Sequence, residues 1–141
     1  MKAMTRQEID DFLMQGTRTG KVATVREDGR PHVVPIWFVM DGDDILFTTW
    51  HTTVKLQNMR HDGRVALCVD DETPPYAYAM VEGTAALTDD PAELLHWATR
   101  IGGRYMGQER AKEFGRRNAV PGEWLVRLHI ERAVGHSEMA A

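Results

Sequence analysis

The sequence predicts a mainly β fold, a six-stranded antiparallel barrel flanked by helices. Three observations carry this reading. Apolar residues recur at every second position in segments spread along the chain, the period of half-buried strands. Tight-turn signals, Asp28-Gly29 and the run Asp41–Asp44, join neighbouring segments, and links this short make the strands antiparallel. Helical spacing appears only before and between these segments. Closure into a barrel is one way such a sheet removes its open edges.

The elements follow in order. Thr5 and Glu8 in "TRQE" form a capping box, and Ile9, Phe12 and Leu13 give a helical apolar stripe that ends at Gly16 and Gly20. "KVATVRE" (21–27) alternates, turns at "EDGR", and returns as "PHVVPIWFVMD" (31–41). Pro35 in the middle of that return cannot donate to a ladder, so this strand lies at an edge or is bulged. "ILFTTW" (45–50) is the third strand, a short helix follows it, and "RVALCVDD" (64–71) is the fourth. After the irregular "ETPP", the long strand 76–90 carries Gly83 as a bulge or close approach. Asp90-Pro91 opens a helix with Leu94, Leu95, Ala98 and Ile101 on one face. A second short helix covers 108–117, and 123–136 is the last strand, with Trp124, Val126, Leu128 and Ile130 pointing one way.

The 141 residues suit one domain, 1–141, and 43% hydrophobic with 27% charged residues is the balance of a soluble globular chain. The net charge of −4 argues against a general nucleic-acid binder. No apolar run reaches the ~20 residues that span a bilayer. The acidic start "MKAMTRQEIDDF" lacks an export signal core, so the expected compartment is the cytoplasm. A lone cysteine, Cys68, excludes an internal disulfide and reads as a small strand residue.

No zinc-protease HExxH and no hydrolase GxSxG occurs, and the six histidines lack helical ligand spacing, so no metal site is expected. His129 and Glu131 share a strand face, a weak pairing without a third ligand. "GGRYMG" (102–107) follows a helix rather than a strand, so it reads as a helix end and not as a phosphate loop. Core packing is the default for the tryptophans, yet Trp37 and Trp50 flank a region able to sandwich a flat ring. That region is the start of the helix after strand three. Thr52 or Thr53 caps it, Thr48, Thr49 and Thr53 offer hydroxyls, and Lys55 sits in the first turn, where acids are normally favoured. Free amides, hydroxyls and a lysine at one helix start suit a phosphate; a solvated surface lysine is the alternative.

Three stretches, "ATVREDGRPHVVPIWF", the T-x-x-K-x-x-N-M-R-x-D-x-R-V run from Thr52, and "VEGTA", resemble the pyridoxamine 5′-phosphate oxidase-like split barrels that bind flavin or deazaflavin. The resemblance implies an FMN-binding type of split barrel. It also implies a cofactor phosphate held by Lys55, Thr53, Thr49 and Thr48, and a ring lying along Val33 to Trp37, with Val34, Pro35 and Ile36 in contact. Trp50 stands beside this site. A second subunit closes it, bringing Tyr76 and Tyr78, so a homodimer with interfacial sites and a small-molecule substrate is expected.

Basic residues of the true pyridoxamine phosphate oxidases are replaced here by Val33 and Val54, which points away from vitamin B6 oxidation. The chain is more similar to short members using coenzyme F420, with Thr53 where many of these have arginine. The implied function is an F420-dependent oxidoreductase passing hydride to a small organic acceptor. An FMN-dependent enzyme and a non-catalytic cofactor carrier are the alternatives, and a haem-handling relative would need His51 or His136 as ligand. No side chain is assigned as acid or base; Tyr78 reads as packing. Arg60, Arg100, Arg104, Arg116 and Arg117 are candidates for the acidic tail of F420 or for solvated helix faces.

Overall fold

The computed structural model describes residues 1–141. The strands are β1 (Lys2–Ala3), β2 (Gly20–Val25), β3 (Pro31–Ile36), β4 (Val39–Asp41), β5 (Asp44–Trp50), β6 (Arg64–Asp71), β7 (Ala77–Thr88) and β8 (Glu123–Ser137). The helices are α1 (Arg6–Met14), α2 (Val54–His61), α3 (Pro91–Met106) and α4 (Ala111–Asn118), with a 3₁₀ turn at Gln108–Arg110. Every ladder is antiparallel, in the order β3-β2-β6-β7-β8-β5-β4, and β1 pairs with the end of β8. The edge strands β3 and β4 are consecutive in the chain, so the sheet is a barrel split between them.

The strand count differs from the expected six because the segment 31–41 is two strands and because β1 has only two residues, too few to show a period. The break at Trp37–Phe38 has a tertiary cause. Tyr105 on α3 accepts the Phe38 N–H at 3.2 Å, and Arg104 donates to the Phe38 carbonyl at 2.6 Å. Side chains far along the chain thus replace the ladder partners of Phe38. Pro35 lies in an edge strand, as its missing N–H requires.

Local signals account for the other boundaries. Thr5 N donates to Glu8 Oε1 (2.9 Å) and Glu8 N to Thr5 Oγ1 (3.2 Å), the reciprocal capping box. Glu93 N donates to the Asp90 side chain (3.0 Å) and Pro91 occupies the first turn of α3. The β2–β3 hairpin closes through Gly29, at φ +87°. At Gly83 the β7–β8 register shifts, and a Cβ there would collide with the His129 carbonyl.

The barrel interior is a cluster in which Val22, Phe47, Leu67, Val81, Val126 and Leu128 meet Ile9, Phe12 and Leu13 of α1. A second cluster lies outside the wall, where α3 sets Leu94 and Ile101 against Val39, Leu46 and Leu125. Strands β5 and β8 are therefore covered on both faces. This corrects the simple alternation read at 123–130: Leu125 is buried beneath α3, while Trp124 is only partly buried. Leu95, expected on the α3 stripe, is 46% exposed, since the buried positions are 94, 98 and 101.

Helix α3 runs through Gly102–Gly103 and stops at Gly107, so "GGRYMG" is a helix end one turn later than its first glycines suggest. Gly102 is a contact point: a Cβ there would lie 2.6 Å from Phe114 Cβ on α4. Gly102→Ala should lower stability by about 1 kcal/mol, as overpacking of about 2 kcal/mol is offset by about 1 kcal/mol of helix propensity. A urea melt reads this as a lower midpoint at constant slope. No helix is long and apolar enough to cross a membrane.

Candidate functional site

Strand β5 delivers Thr48, Thr49 and Trp50 to the start of α2. Thr53 caps that helix, accepting the Leu56 N–H at 3.4 Å. The N–H groups of Val54 and Lys55 have no acceptor within the helix. Edge strand β3 runs alongside, and its end Pro35, Ile36 and Trp37 forms an apolar wall. Together these segments enclose a cleft of about 290 Å³, lined also by Ile101, Asn118 and Glu123. Eight of the ten residues expected at a cofactor meet here: Pro35, Ile36, Trp37, Thr48, Thr49, Trp50, Thr53 and Lys55.

Val34 and Tyr78 are the two outside the cleft. Val34 packs against the barrel core on the same strand face as Ile36, and of the two only Ile36, at the end of β3, also reaches the cleft. Tyr78 lies on β7, its hydroxyl 3.1 Å from His136 Nδ1 across the β7–β8 ladder. Within one chain it packs against β8 rather than facing Lys55.

The threonines divide by what their hydroxyls already do. Thr53 Oγ1 donates to the Trp50 carbonyl at 3.0 Å, so in the 2.8 Å contact between Thr49 and Thr53 the donor is Thr49. Both hydrogens are thereby committed to the loop that shapes the helix start. Thr48 lines the cleft without such a bond. The donors open to an anion are then Lys55, Thr48 and the amides of the first α2 turn.

Lys55 is half-buried and makes no hydrogen bond; burial pulls its ammonium below the usual lysine value, with Glu123 opposing that shift. Glu123 opens β8 opposite Trp50 in the β5 ladder. Burial pushes its carboxyl above the usual range, opposed by Lys55. The two face one another without a direct ion pair. Glu123, Asn118 and Ile101 carried no sequence signal for this site. They reach it because α3, α4 and the start of β8 fold back over β5, a placement with no local marker.

The two tryptophans do not form a free sandwich. Trp37 already stacks on Tyr105, with centroids 5.0 Å apart and planes 2° apart, so only its remaining surface lines the cleft. Trp50 packs against His51 and over Gly122. Val33 and Val54, at the positions where basic residues are wanting, are exposed. Among the arginines, Arg104 is held by the carbonyls of Leu13, Gly16 and Phe38, a structural tie that is neither of the two roles considered for it, tail contact or solvated helix face. Arg60, Arg100 and Arg117 lie over the rings of Trp124, Trp97 and Phe114, and Arg116 is exposed. His129 pairs with Asp44 and Glu131 accepts from Thr84, so they are not aimed at a common point. Burial pushes the Cys68 thiol up, away from thiolate reactivity.

An unpaired, half-buried lysine with a free hydroxyl and open helix amides fits a phosphate. The flat apolar wall beside it fits a ring. A split antiparallel barrel with this cleft at its open seam defines the flavin- and deazaflavin-type split-barrel class. The chain belongs to the pyridoxamine 5′-phosphate oxidase family, whose model matches residues 5–136.

Among solved structures, a conserved hypothetical protein from Mycobacterium tuberculosis is 28% identical, with a TM-score of 0.83 over 97% of this chain and 87% of that one. A protein described as an F420 reductase is 25% identical, with a TM-score of 0.68 over 91% of this chain and 95% of that one. The heme storage protein HutZ from Vibrio cholerae shares the fold at 20% identity and a TM-score of 0.72, covering 95% of this chain and 94% of its own. The fold thus serves proteins with different named roles.

Proposed function

We propose that this chain is a cytoplasmic F420-dependent oxidoreductase, active as a homodimer, that reduces a small organic acceptor. The observation carrying this reading is the half-buried, unpaired Lys55 at the open start of α2, set beside the apolar wall Pro35–Trp37. Similarity to an F420 reductase over most of both chains supports the deazaflavin over FMN. When bound, reduced F420 supplies the hydride.

The protein's share is binding and orientation. Lys55, the Thr48 hydroxyl and the amides of Val54 and Lys55 hold the phosphate. Thr49 and Thr53 keep that turn in shape through their mutual bond. Edge strand β3 has one side free of ladder partners, which leaves backbone groups for the polar rim of a ring. The partner protomer closes the site with the start of its β7 and the residue before it, bringing Tyr78 and Tyr76.

Titration of the purified protein with F420 and with FMN tests this. F420 should bind at least about tenfold more tightly, a difference of about 1.4 kcal/mol. Tight FMN binding with no F420 binding would overturn the reading. Oxidation of reduced F420 over a panel of acceptors then separates an enzyme from a carrier.

A further inference from the structure

Lys55 and Glu123 are the only charged side chains among the eleven residues lining the cleft. A carboxylate is unfavourable in a site meant for an anion, and the fold keeps the Glu123 backbone at the cleft. Its backbone is fixed in the β5–β8 ladder and its N–H donates to the Val120 carbonyl at 3.0 Å. Its side chain makes no hydrogen bond, so no structural contact requires a carboxylate rather than an amide there.

We propose that Glu123 determines which charge of phosphate the cleft accepts, admitting a singly charged phosphodiester and rejecting a doubly charged phosphomonoester. This rests on the reading that the cleft takes a cofactor phosphate. A phosphomonoester carries nearly two negative charges at neutral pH, because its second pKa is about 6. A diester carries one. Lys55 neutralises one charge, and Glu123 returns the lining to zero. A diester then leaves one excess negative charge in the cleft, and a monoester leaves two. Burial, the larger influence, pushes the Glu123 carboxyl above its usual range, and Lys55 across the cleft opposes that shift. FMN ends in a monoester and F420 contains a diester, so this one side chain separates the two cofactors by chemistry and not by shape.

The test uses FMN and its phosphate methyl ester, which share ring and ribityl chain and differ in phosphate charge. Binding of each to the full protein and to Glu123→Gln is measured by flavin fluorescence at pH 7.5, with F420 as a third arm. Glu123→Gln should tighten FMN on the order of tenfold and the methyl ester by less than about threefold, since one unit of charge across a partly buried cleft is at stake. Equal tightening of both ligands overturns the proposal, making Glu123 a general repeller. Weakening of both also overturns it, making Glu123 a group that positions Lys55. Failure of FMN to respond, or to bind either form, overturns it as well. Charge discrimination between the two flavin probes without any F420 binding would uphold the role of Glu123 and sink the proposed F420 function. Glu123→Gln is isosteric, and Glu123→Ala, which should shift the two ligands in the same unequal way, guards against an effect peculiar to glutamine.

Discussion

Lys55→Ala should weaken F420 by about 30-fold, the equivalent of about 2 kcal/mol for one lost charge-assisted hydrogen bond to phosphate, and FMN, with its doubly charged phosphate, by at least as much. The thermal midpoint of the ligand-free protein should not fall. The two halves of this expectation come from the same fact. Lys55 is half-buried and makes no hydrogen bond or ion pair within the chain, and burial outweighs the attraction of Glu123, so folding gains nothing from its charge. The sign follows from its lowered pKa. The unfolded chain holds the proton more tightly than the folded one, so the charged lysine works against folding at neutral pH and less so as pH rises through the folded value. It also stands in the first turn of α2, where the helix dipole disfavours a cation. Alanine removes both conflicts and has the better helix propensity. A residue that costs stability in the free protein and restores it on binding an anion is a ligand-directed residue. Calorimetry of the two proteins with and without cofactor reads both quantities. A lower midpoint for Lys55→Ala with unchanged affinity would make Lys55 a structural side chain and would remove the phosphate site.

The site was legible in the sequence where its residues lie close along the chain. Thr48, Thr49, Trp50, Thr53 and Lys55 fall within eight residues, and strand, cap and helix follow from period and capping chemistry. Pro35 marked an edge strand by its missing donor, which placed Ile36 and Trp37 at the seam. Glu123 was not legible, because nothing local distinguishes it from any strand carboxylate; only the β5–β8 ladder sets it opposite Trp50. Val34 shows a different limit. The resemblance placed it with Pro35 and Ile36 along the ring, but its side chain packs against the core one strand pair short of the cleft, a distance that only the coordinates give. The threonines show a third. Their hydroxyls suit a phosphate by type, yet Thr49 and Thr53 already bond one another and the backbone, a commitment invisible without coordinates.

Arg104→Met should lower stability by about 3 kcal/mol, the largest loss expected from any single side chain outside the apolar core. For a chain of this size that is a fall in Tm of about 10 °C. The guanidinium joins three segments distant in sequence, bonding the carbonyls of Leu13 (2.8 Å), Gly16 (3.0 Å) and Phe38 (2.6 Å). It also lies over the rings of Phe38 and Tyr105. Two of those carbonyls sit where α1 ends, and the third lies in the break between β3 and β4, so no ladder is available to take over when the donor goes. Methionine restores the apolar stem but leaves the acceptors without partners, and the penalty for unsatisfied acceptors outweighs the volume retained. Arg104→Lys should recover only part of the loss, since one ammonium cannot reach three divergent carbonyls in the geometry of a planar fork. The consequence extends to the cleft. Phe38 adjoins Trp37, and Trp37 is held flat on Tyr105 by the same helix, so loosening this tie moves the wall at the seam. Cofactor affinity should therefore fall alongside stability, for FMN as much as for F420. An arginine whose task was to meet the acidic tail of F420 would behave in the opposite way, leaving Tm unchanged and weakening F420 alone. Differential scanning calorimetry together with the two cofactor titrations distinguishes these outcomes in one set of samples.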